Sequence, residues 1–197
     1  MDFNPFKHKI SELSSFSAGK GNLLIAEPFM QDPYFKRSVV LLCEHSNEGI
    51  VGFILNQSLG IKLSEVMPGI SEQDFPVFLG GPVSPQNLFF LHRFGELPGS
   101  LKITDELYWD GDFEILKIML QKREVMPEDI RFFLGYSGWD FEQLSMEIEK
   151  QSWLINQLKM SDIFQINPDQ LWKHAVKSME KKQATILAEF PEDPSLN

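Results

Sequence analysis

Short hydrophobic runs alternate with polar segments rich in glycine and proline along the whole chain, and this pattern predicts strands mixed with helices. Leu23–Ala26 is predicted as a strand that Pro28 ends. Val39–Cys43, the second run, and Ile50–Asn56 lack polar alternation, which indicates strands covered on both faces. A turn of Ser, Asn and Gly joins the second run to Ile50–Asn56, which predicts a hairpin. Further strands are predicted at 77–81, at 87–92 beyond a Gly-Gly-Pro turn, and at 130–136.

Apolar residues at helical spacing predict helices at Asp112–Arg123, at Asp140–Lys150 and from Asn167 onward. Asp140 and Asn167 are natural N-cap residues, and Pro168 fits the first helical position. A short amphipathic helix is also predicted over Asn4–Phe16. Strands, a hairpin and helices together indicate an α+β or mixed α/β domain rather than a doubly wound parallel sheet.

Composition narrows the class of protein. The 197 residues suit one domain, and 43% hydrophobic with 23% charged residues is a globular composition. No apolar stretch approaches the ~20 residues that span a bilayer, so no membrane contact is expected. The polar N-terminus and the single cysteine favour a cytoplasmic protein.

Charge makes direct nucleic-acid binding unexpected. The chain has 18 basic and 28 acidic residues, a formal charge of -10, which repels polyanions at long range. Its basic residues are scattered on predicted helix faces, and no helix-turn-helix pattern is present.

The stretch GYSGWD, residues 135–140, has the strand–serine–helix order of a hydrolase nucleophile elbow. That motif requires glycine two residues after the serine, and Trp139 stands there instead. His174, the one histidine downstream, is predicted on a helix. We therefore interpret Ser137 as part of a glycine turn before the cap Asp140, with Trp139 in the core.

Several separated blocks resemble the AlgH/YqgE family of bacterial proteins: GNLLIAEPFMQDPYFKRSVVLLCEHSNEGIVGFILNQ, GGPVSPQNLFFLH, GYSGW and DPSLN. The resemblance implies an α+β single domain over 1–197 with mixed, coiled and bifurcated sheets, a 1–20 extension and a 183–197 tail. The family carries a transcriptional-regulator label without an established reaction, cofactor or DNA-binding motif. Members of the family often have alanine at the position of Ser137. They also usually have a small, Gly/Pro-containing stretch at the position of Asp140–Glu142, so this chain departs from the family pattern at both places.

Cys43 and His45 form a second candidate for nucleophilic chemistry. Two residues apart in a predicted strand, they share a face and could form a thiolate pair, although a buried core cysteine explains the pattern as well. Four scattered histidines and one cysteine, with no CxxC or HExxH, make a metal site unexpected.

Binding rather than catalysis is the function that the sequence favours. Gly80 and Gly81 could offer N–H groups to an anion with Arg37 as a clamp, or simply form a turn. The loop 29–35 carries four apolar side chains that either extend the core or mark a partner surface. We predict a cytosolic protein, without cofactor, that binds a protein partner or small ligand and regulates transcription indirectly. A small hydrolase using Ser137 or Cys43 is the alternative, and the candidate binding residues are Arg37, Gly80, Gly81, Tyr136, Ser137 and Trp139.

Overall fold

The computed structural model describes residues 14, 16–70, 73–179 and 182–190. The helix predicted over Asn4–Phe16 falls almost wholly outside the described residues. Ten strands are described: β1 (Leu23–Ala26), β2 (Val39–Ser46), β3 (Gly49–Ile54), β4 (Ser58–Lys62), β5 (Pro76–Leu79), β6 (Val83–His92), β7 (Leu101–Lys102), β8 (Tyr108–Trp109), β9 (Ile130–Trp139) and β10 (Trp153–Asn156). Six helices are described: α1 (Leu63–Val66), α2 (Phe113–Gln121), α3 (Phe141–Glu149), α4 (Met160–Gln165), α5 (Pro168–Lys177) and α6 (Lys182–Ala188).

The strands form one open, mixed sheet, and with the helices they confirm the predicted α+β class. The main path runs β10-β1-β2-β3-β9-β6-β8-β7, with β5 on β9 and β4 on β5 as a branch. All pairs are antiparallel except β5 with β9.

The sheet divides at β9. One edge of β9 pairs first with β5 (Phe78 opposite Phe133) and then, further along, with β3 (Gly52 opposite Ser137). The other edge pairs with β6, where Phe89 lies opposite Phe133. Strands β5 and β6 are therefore not a hairpin around the Gly-Gly-Pro segment, because β9 lies between them.

Both faces of β1 and β2 are buried, and for β2 the unbroken apolar run predicted this. Leu23 and Leu41 face α5 and α6, whereas Leu24 and Val40 face the side covered by α3. A third cluster packs α2 against the far end of β6 and β9.

The predicted helix starts are confirmed in position. The Asp140 carboxylate accepts a hydrogen bond from the Gln143 backbone N–H at 2.7 Å, and the Asn167 side chain accepts one from the Asp169 N–H at 3.0 Å. The Gln143 side chain donates to the Glu147 carboxylate at 3.0 Å.

The prediction of a turn at residues 135–139 is wrong, because β9 continues to Trp139 and α3 begins directly afterwards. Trp139 does lie in the core at 5% exposure. Its indole N–H and that of Trp153 both donate to one carboxylate, Glu147, at 3.0 and 2.7 Å.

Candidate functional site

Three glycines allow two backbones to cross near the middle of β9. The chain leaves β5 on one edge of β9 and passes over it to begin β6 on the other edge. A Cβ on Gly80 would lie 2.1 Å from the Gly135 carbonyl oxygen, and one on Gly81 would lie 2.4 Å from the Ser137 nitrogen. We call Gly80, Gly81 and Gly135 the glycine crossing; the close approach of backbone to backbone explains why side chains are absent there.

Hydrogen bonds at the glycine crossing are internal. The Gly80 N–H donates to the Leu134 carbonyl at 2.9 Å. The Gly80 carbonyl accepts from the Ile54 N–H at 3.0 Å and from the Ser137 hydroxyl at 2.9 Å. Gly80 therefore directs its N–H into the sheet rather than toward an anion.

Ser137 and Trp139 are core residues, and Tyr136 lies on the opposite face of β9. Ser137 is fully buried, and its hydroxyl donates to a backbone carbonyl rather than to a histidine. The half-buried Tyr136 packs edge-on against Phe89 with ring centroids 5.7 Å apart. In β9 the side chains of these three predicted site residues pack against other parts of the protein.

The prediction that Cys43 and His45 share a face is wrong. The β2–β3 register shifts between Leu42 and Glu44, and such a bulge reverses the alternation of side chains. Cys43 is fully buried in the cluster beneath α5, whereas the His45 ring packs against Phe141 beside α3. Burial raises the pKa of the Cys43 thiol well above its ordinary value, which disfavours the nucleophilic thiolate.

Arg37 lies in a different place, on the wall of a cleft of about 540 Å³. We call this the Arg37 cleft; it is lined by Lys36, Arg37, Asn56, Gln57, Asp169, Trp172, Lys173, Ala188, Glu189 and Phe190. Gly80 and Gly81 are not among its walls. The structure therefore separates the arginine from the glycines that the sequence had paired with it.

The Arg37 backbone is held in the left-handed region at φ 54°, which is uncommon for a residue with a side chain. Asn56 stabilises this conformation from both sides: its amide donates to the Arg37 carbonyl at 2.8 Å, and its oxygen accepts from the Val39 N–H at 2.8 Å. Backbone strain of this kind costs about 1–3 kcal/mol and collects at ligand clamps.

The guanidinium of Arg37 is fixed by the C-terminal helices. It lies 4.0 Å from the centroid of the Trp172 ring and donates to the Phe190 carbonyl at 2.8 Å. Trp172 is itself anchored, since its indole N–H donates to the Ala26 carbonyl of β1 at 2.8 Å. Helix α5 therefore sets the position of Arg37 before any ligand arrives.

Two lysines, Lys36 and Lys173, line the cleft. Lys173 and Lys177 both pair with Glu189 at 2.7 Å, and these contacts hold the pKa of that carboxyl at about 2. Lys36 is exposed at the rim. Sequence reasoning missed Trp172, Lys173 and Glu189, because only the fold brings the C-terminal helices to the loop that carries Arg37.

The apolar loop 29–35 mostly extends the core. Phe35 packs against Trp139 and Trp153 at centroid distances of 5.6 and 5.4 Å, and Phe29 contacts Phe190 edge-on. Tyr34 is exposed at 45%. One exposed tyrosine does not make the aromatic patch that a partner surface at this loop would need.

A buried polar cluster, also missed from the sequence, lies where β6 meets β8. His92 accepts from the Phe94 N–H at Nδ1, so Nε2 carries the proton and donates to the Asp110 carbonyl at 2.7 Å. Burial lowers the pKa of His92 and raises the pKa of Asp110 to about 6. The Asp110 carboxylate accepts from the Phe90 N–H at 3.1 Å.

In the part of the chain that the structure describes, no group of three or more His, Cys, Asp or Glu side chains is placed to hold a metal ion. Within the same residues, no helix is long and apolar enough to cross a membrane.

The fold is of the α+β class, with a sheet that divides at β9 and two backbones that cross at three glycines. Comparison with known proteins shows which family of this class the chain belongs to. Residues 23–184 match the model of the AlgH-like family, so the chain belongs to that family. It is 44% identical over 180 residues to a UPF0301 protein of Cytophaga hutchinsonii, covering 90% of this chain and 98% of that relative. A UPF0301 protein of Parabacteroides distasonis is 41% identical over 181 residues, covering 90% and 91%.

Two solved structures share the fold. The solution structure of the AlgH protein from Pseudomonas aeruginosa superimposes with a TM-score of 0.70 at 26% identity, covering 89% of this chain and 98% of that one. The crystal structure of protein DIP2367 from Corynebacterium diphtheriae gives a TM-score of 0.76 at 20% identity, covering 94% and 100%.

Proposed function

We propose that this protein is a non-catalytic cytosolic protein that binds a small anionic ligand in the Arg37 cleft, and that any effect on transcription is indirect. The observation that carries the proposal is the fixed position of Arg37. Its backbone is held left-handed by Asn56, and its guanidinium is stacked on Trp172 at the wall of a cleft of about 540 Å³. Cavities of this size accept small ligands.

The charges of the cleft favour an anion. Three cations line it, Arg37, Lys36 and Lys173, and so do two carboxylates, Asp169 and Glu189. These leave one net positive charge in the cleft of a protein whose overall formal charge is -10. Glu189 is already paired with Lys173, so we assign the ligand contacts to Arg37 and Lys36. Guanidinium groups bind carboxylate and phosphate oxygens through two parallel hydrogen bonds. Fixing the guanidinium in advance lowers the entropic cost of that binding.

The environments of the two candidate nucleophiles also support a binding role. Ser137 is buried and bonded to a backbone carbonyl, and Cys43 is buried among apolar side chains with a raised pKa. A nucleophile needs a base within hydrogen-bond reach and access to substrate.

Titration calorimetry with pyrophosphate tests the proposal. We expect saturable binding by the wild-type protein that weakens as salt increases, because charged contacts are screened. Arg37→Gln should bind about 10- to 150-fold more weakly, since hydrogen bonds to charged groups contribute about 1.5–3 kcal/mol.

Arg93→Gln is the matched control. It removes the same charge at another surface, where Arg93 pairs with Asp129 at 3.9 Å, and it should leave pyrophosphate binding unchanged. Equal affinity of all three proteins, or no saturable binding, would contradict the proposal. Stoichiometric labelling of Ser137 by a fluorophosphonate probe, abolished in Ser137→Ala, would instead favour the hydrolase.

A further inference from the structure

A second cavity lies between the start of β9 and the connection from α4 to α5. Its volume is about 470 Å³, and apolar side chains form most of its wall: Pro76, Phe78, Ile130, Phe164, Ile166 and Pro168. Arg131 is a cationic residue of the same wall. We call this space the Arg131 cavity. It has the composition of many small-molecule sites, an apolar pocket with a few polar groups.

Arg131 is a buried cation without a counter-charge. Its exposure is 6%, and it makes no ion pair with a carboxylate among the residues that the structure describes. Burial alone lowers its pKa to about 10, so the guanidinium remains charged at neutral pH. Buried charges in proteins are normally paired, because removing an ion from water costs several kcal/mol.

Neutral groups hold this guanidinium in place. One terminal nitrogen donates to the Leu55 carbonyl at 2.8 Å and the other to the Phe164 carbonyl at 3.4 Å. The ring of Phe78 lies 4.6 Å from the guanidinium carbon. These contacts fix the orientation of the group but supply no full negative charge, and an arginine has five N–H donors in all.

The wall also contains a helix N-terminus, which is partly positive, and one exposed carboxylate, Glu128. Asn167 and Pro168, which begin the ten-residue helix α5, form part of the wall, and a helix N-terminus carries a partial positive charge. Glu128 is exposed at the rim and does not pair with Arg131.

We propose that the Arg131 cavity is a ligand site for a small monocarboxylate with an apolar body. The carboxylate would receive two parallel hydrogen bonds from a buried arginine, and the apolar body would cover Phe78, Phe164 and Ile166. One cation in an apolar wall matches a single negative charge, whereas a multiply charged phosphate would lose more hydration than one arginine replaces. This site is separate from the Arg37 cleft, which is more polar and carries several cations.

The test uses two probes of nearly equal shape on the unmodified protein. Phenylacetate carries the carboxylate, and phenylacetamide replaces it with a neutral amide. In ¹⁵N–¹H NMR titrations we expect phenylacetate to shift the amides of 77–78, 128–131 and 164–167 saturably. It should bind about tenfold or more tightly than phenylacetamide, the factor expected for a charge-assisted hydrogen bond. Equal binding of the two probes, shifts elsewhere, or no saturation would overturn the proposal.

Variants separate the two sites. Ile166→Trp fills the cavity and leaves Arg131 in the sequence, and it should abolish phenylacetate binding. Arg131→Met removes the charge, and it should remove the preference for phenylacetate over phenylacetamide. Arg37→Gln, the matched loss of an arginine in the other cleft, should leave the phenylacetate titration unchanged. Full binding to Ile166→Trp would show that the probe lies outside this cavity, whatever the outcome at Arg37.

Discussion

Replacing Gly80 by alanine measures how tightly the glycine crossing is packed. The added Cβ would lie 2.1 Å from the Gly135 carbonyl oxygen and 2.9 Å from a ring carbon of Phe53. The first neighbour is backbone of the central strand β9, so it cannot move aside as a flexible side chain would. Relief requires β5 and β9 to separate by roughly 1 Å at the crossing, given the usual close-packing of interiors.

That displacement acts on hydrogen bonds as well as on packing. Gly80 donates to Leu134 at 2.9 Å and accepts from Ile54 at 3.0 Å and from Ser137 at 2.9 Å. Overpacking costs about 1–3 kcal/mol, and each weakened hydrogen bond adds about 0.5–1.5 kcal/mol. We therefore expect Gly80→Ala to lower the free energy of unfolding by about 3 kcal/mol or more, a large part of a typical ~5–15 kcal/mol.

Urea denaturation followed by tryptophan fluorescence measures the loss as a lower midpoint with an unchanged slope. Gly19→Ala is the matched control, because the nearest atom to its added Cβ is Asn22 Nδ2 at 3.7 Å, an ordinary contact. That variant should stay within about 0.5 kcal/mol of wild type. If Gly80→Ala were no less stable than Gly19→Ala, the steric account of the crossing would be refuted, and an anion-binding role for these glycines would regain support.

Three further predictions concern the core, the buried acid and DNA. In denaturant melts Trp139→Ala should lower the free energy of unfolding by about 3–5 kcal/mol, because the ring is buried and its N–H donates to Glu147. Ser137→Ala should lower it by only about 1 kcal/mol or less, since the Gly80 carbonyl still accepts a hydrogen bond from the Ile54 N–H. Similar losses in the two variants would contradict this ranking. In the folded protein burial raises the pKa of Asp110 to about 6, so the fold favours the protonated carboxyl. The stability that this group contributes is therefore fully present below about pH 4 and is lost as pH rises through about 6. Asp110→Asn should therefore stabilise the protein by about 1–2 kcal/mol at pH 7.5 and hardly at all at pH 4, and an equal gain at both pH values would refute the cause. Fluorescence anisotropy with duplex DNA should give a Kd no tighter than ~10⁻⁴–10⁻⁶ M at physiological salt, and sequence-selective nanomolar binding would contradict an indirect role.

Local signals in the sequence predicted local structure well. The caps Asp140 and Asn167 and the doubly buried strand at Val39 were visible because caps and apolar runs act within a few residues. The family followed from several blocks in order, and it is confirmed.

Structural features that depend on residues far away in the sequence could not be predicted from local patterns. The glycines of GYSGW predict a turn, but Gly135 is required by the close approach of Gly81, more than fifty positions earlier in the chain. The bulge after Leu42 puts His45 on the opposite face from Cys43, and no local pattern marks it. Arg37 and Phe190 meet only because α5 and α6 return to the first loop.

The pairing of β1 with β10 has a consequence for synthesis of the chain. Leu23 pairs with Asn156, so β1, the first of the described strands to be synthesised, has one edge without its partner until the roughly 130 residues up to β10 have been translated, which is the separation that the pairing spans. Contacts so far apart in sequence slow folding, because the loop between them must close first. Nascent chains that stop before β10 should therefore carry an exposed apolar strand and depend on chaperones more than the finished protein does.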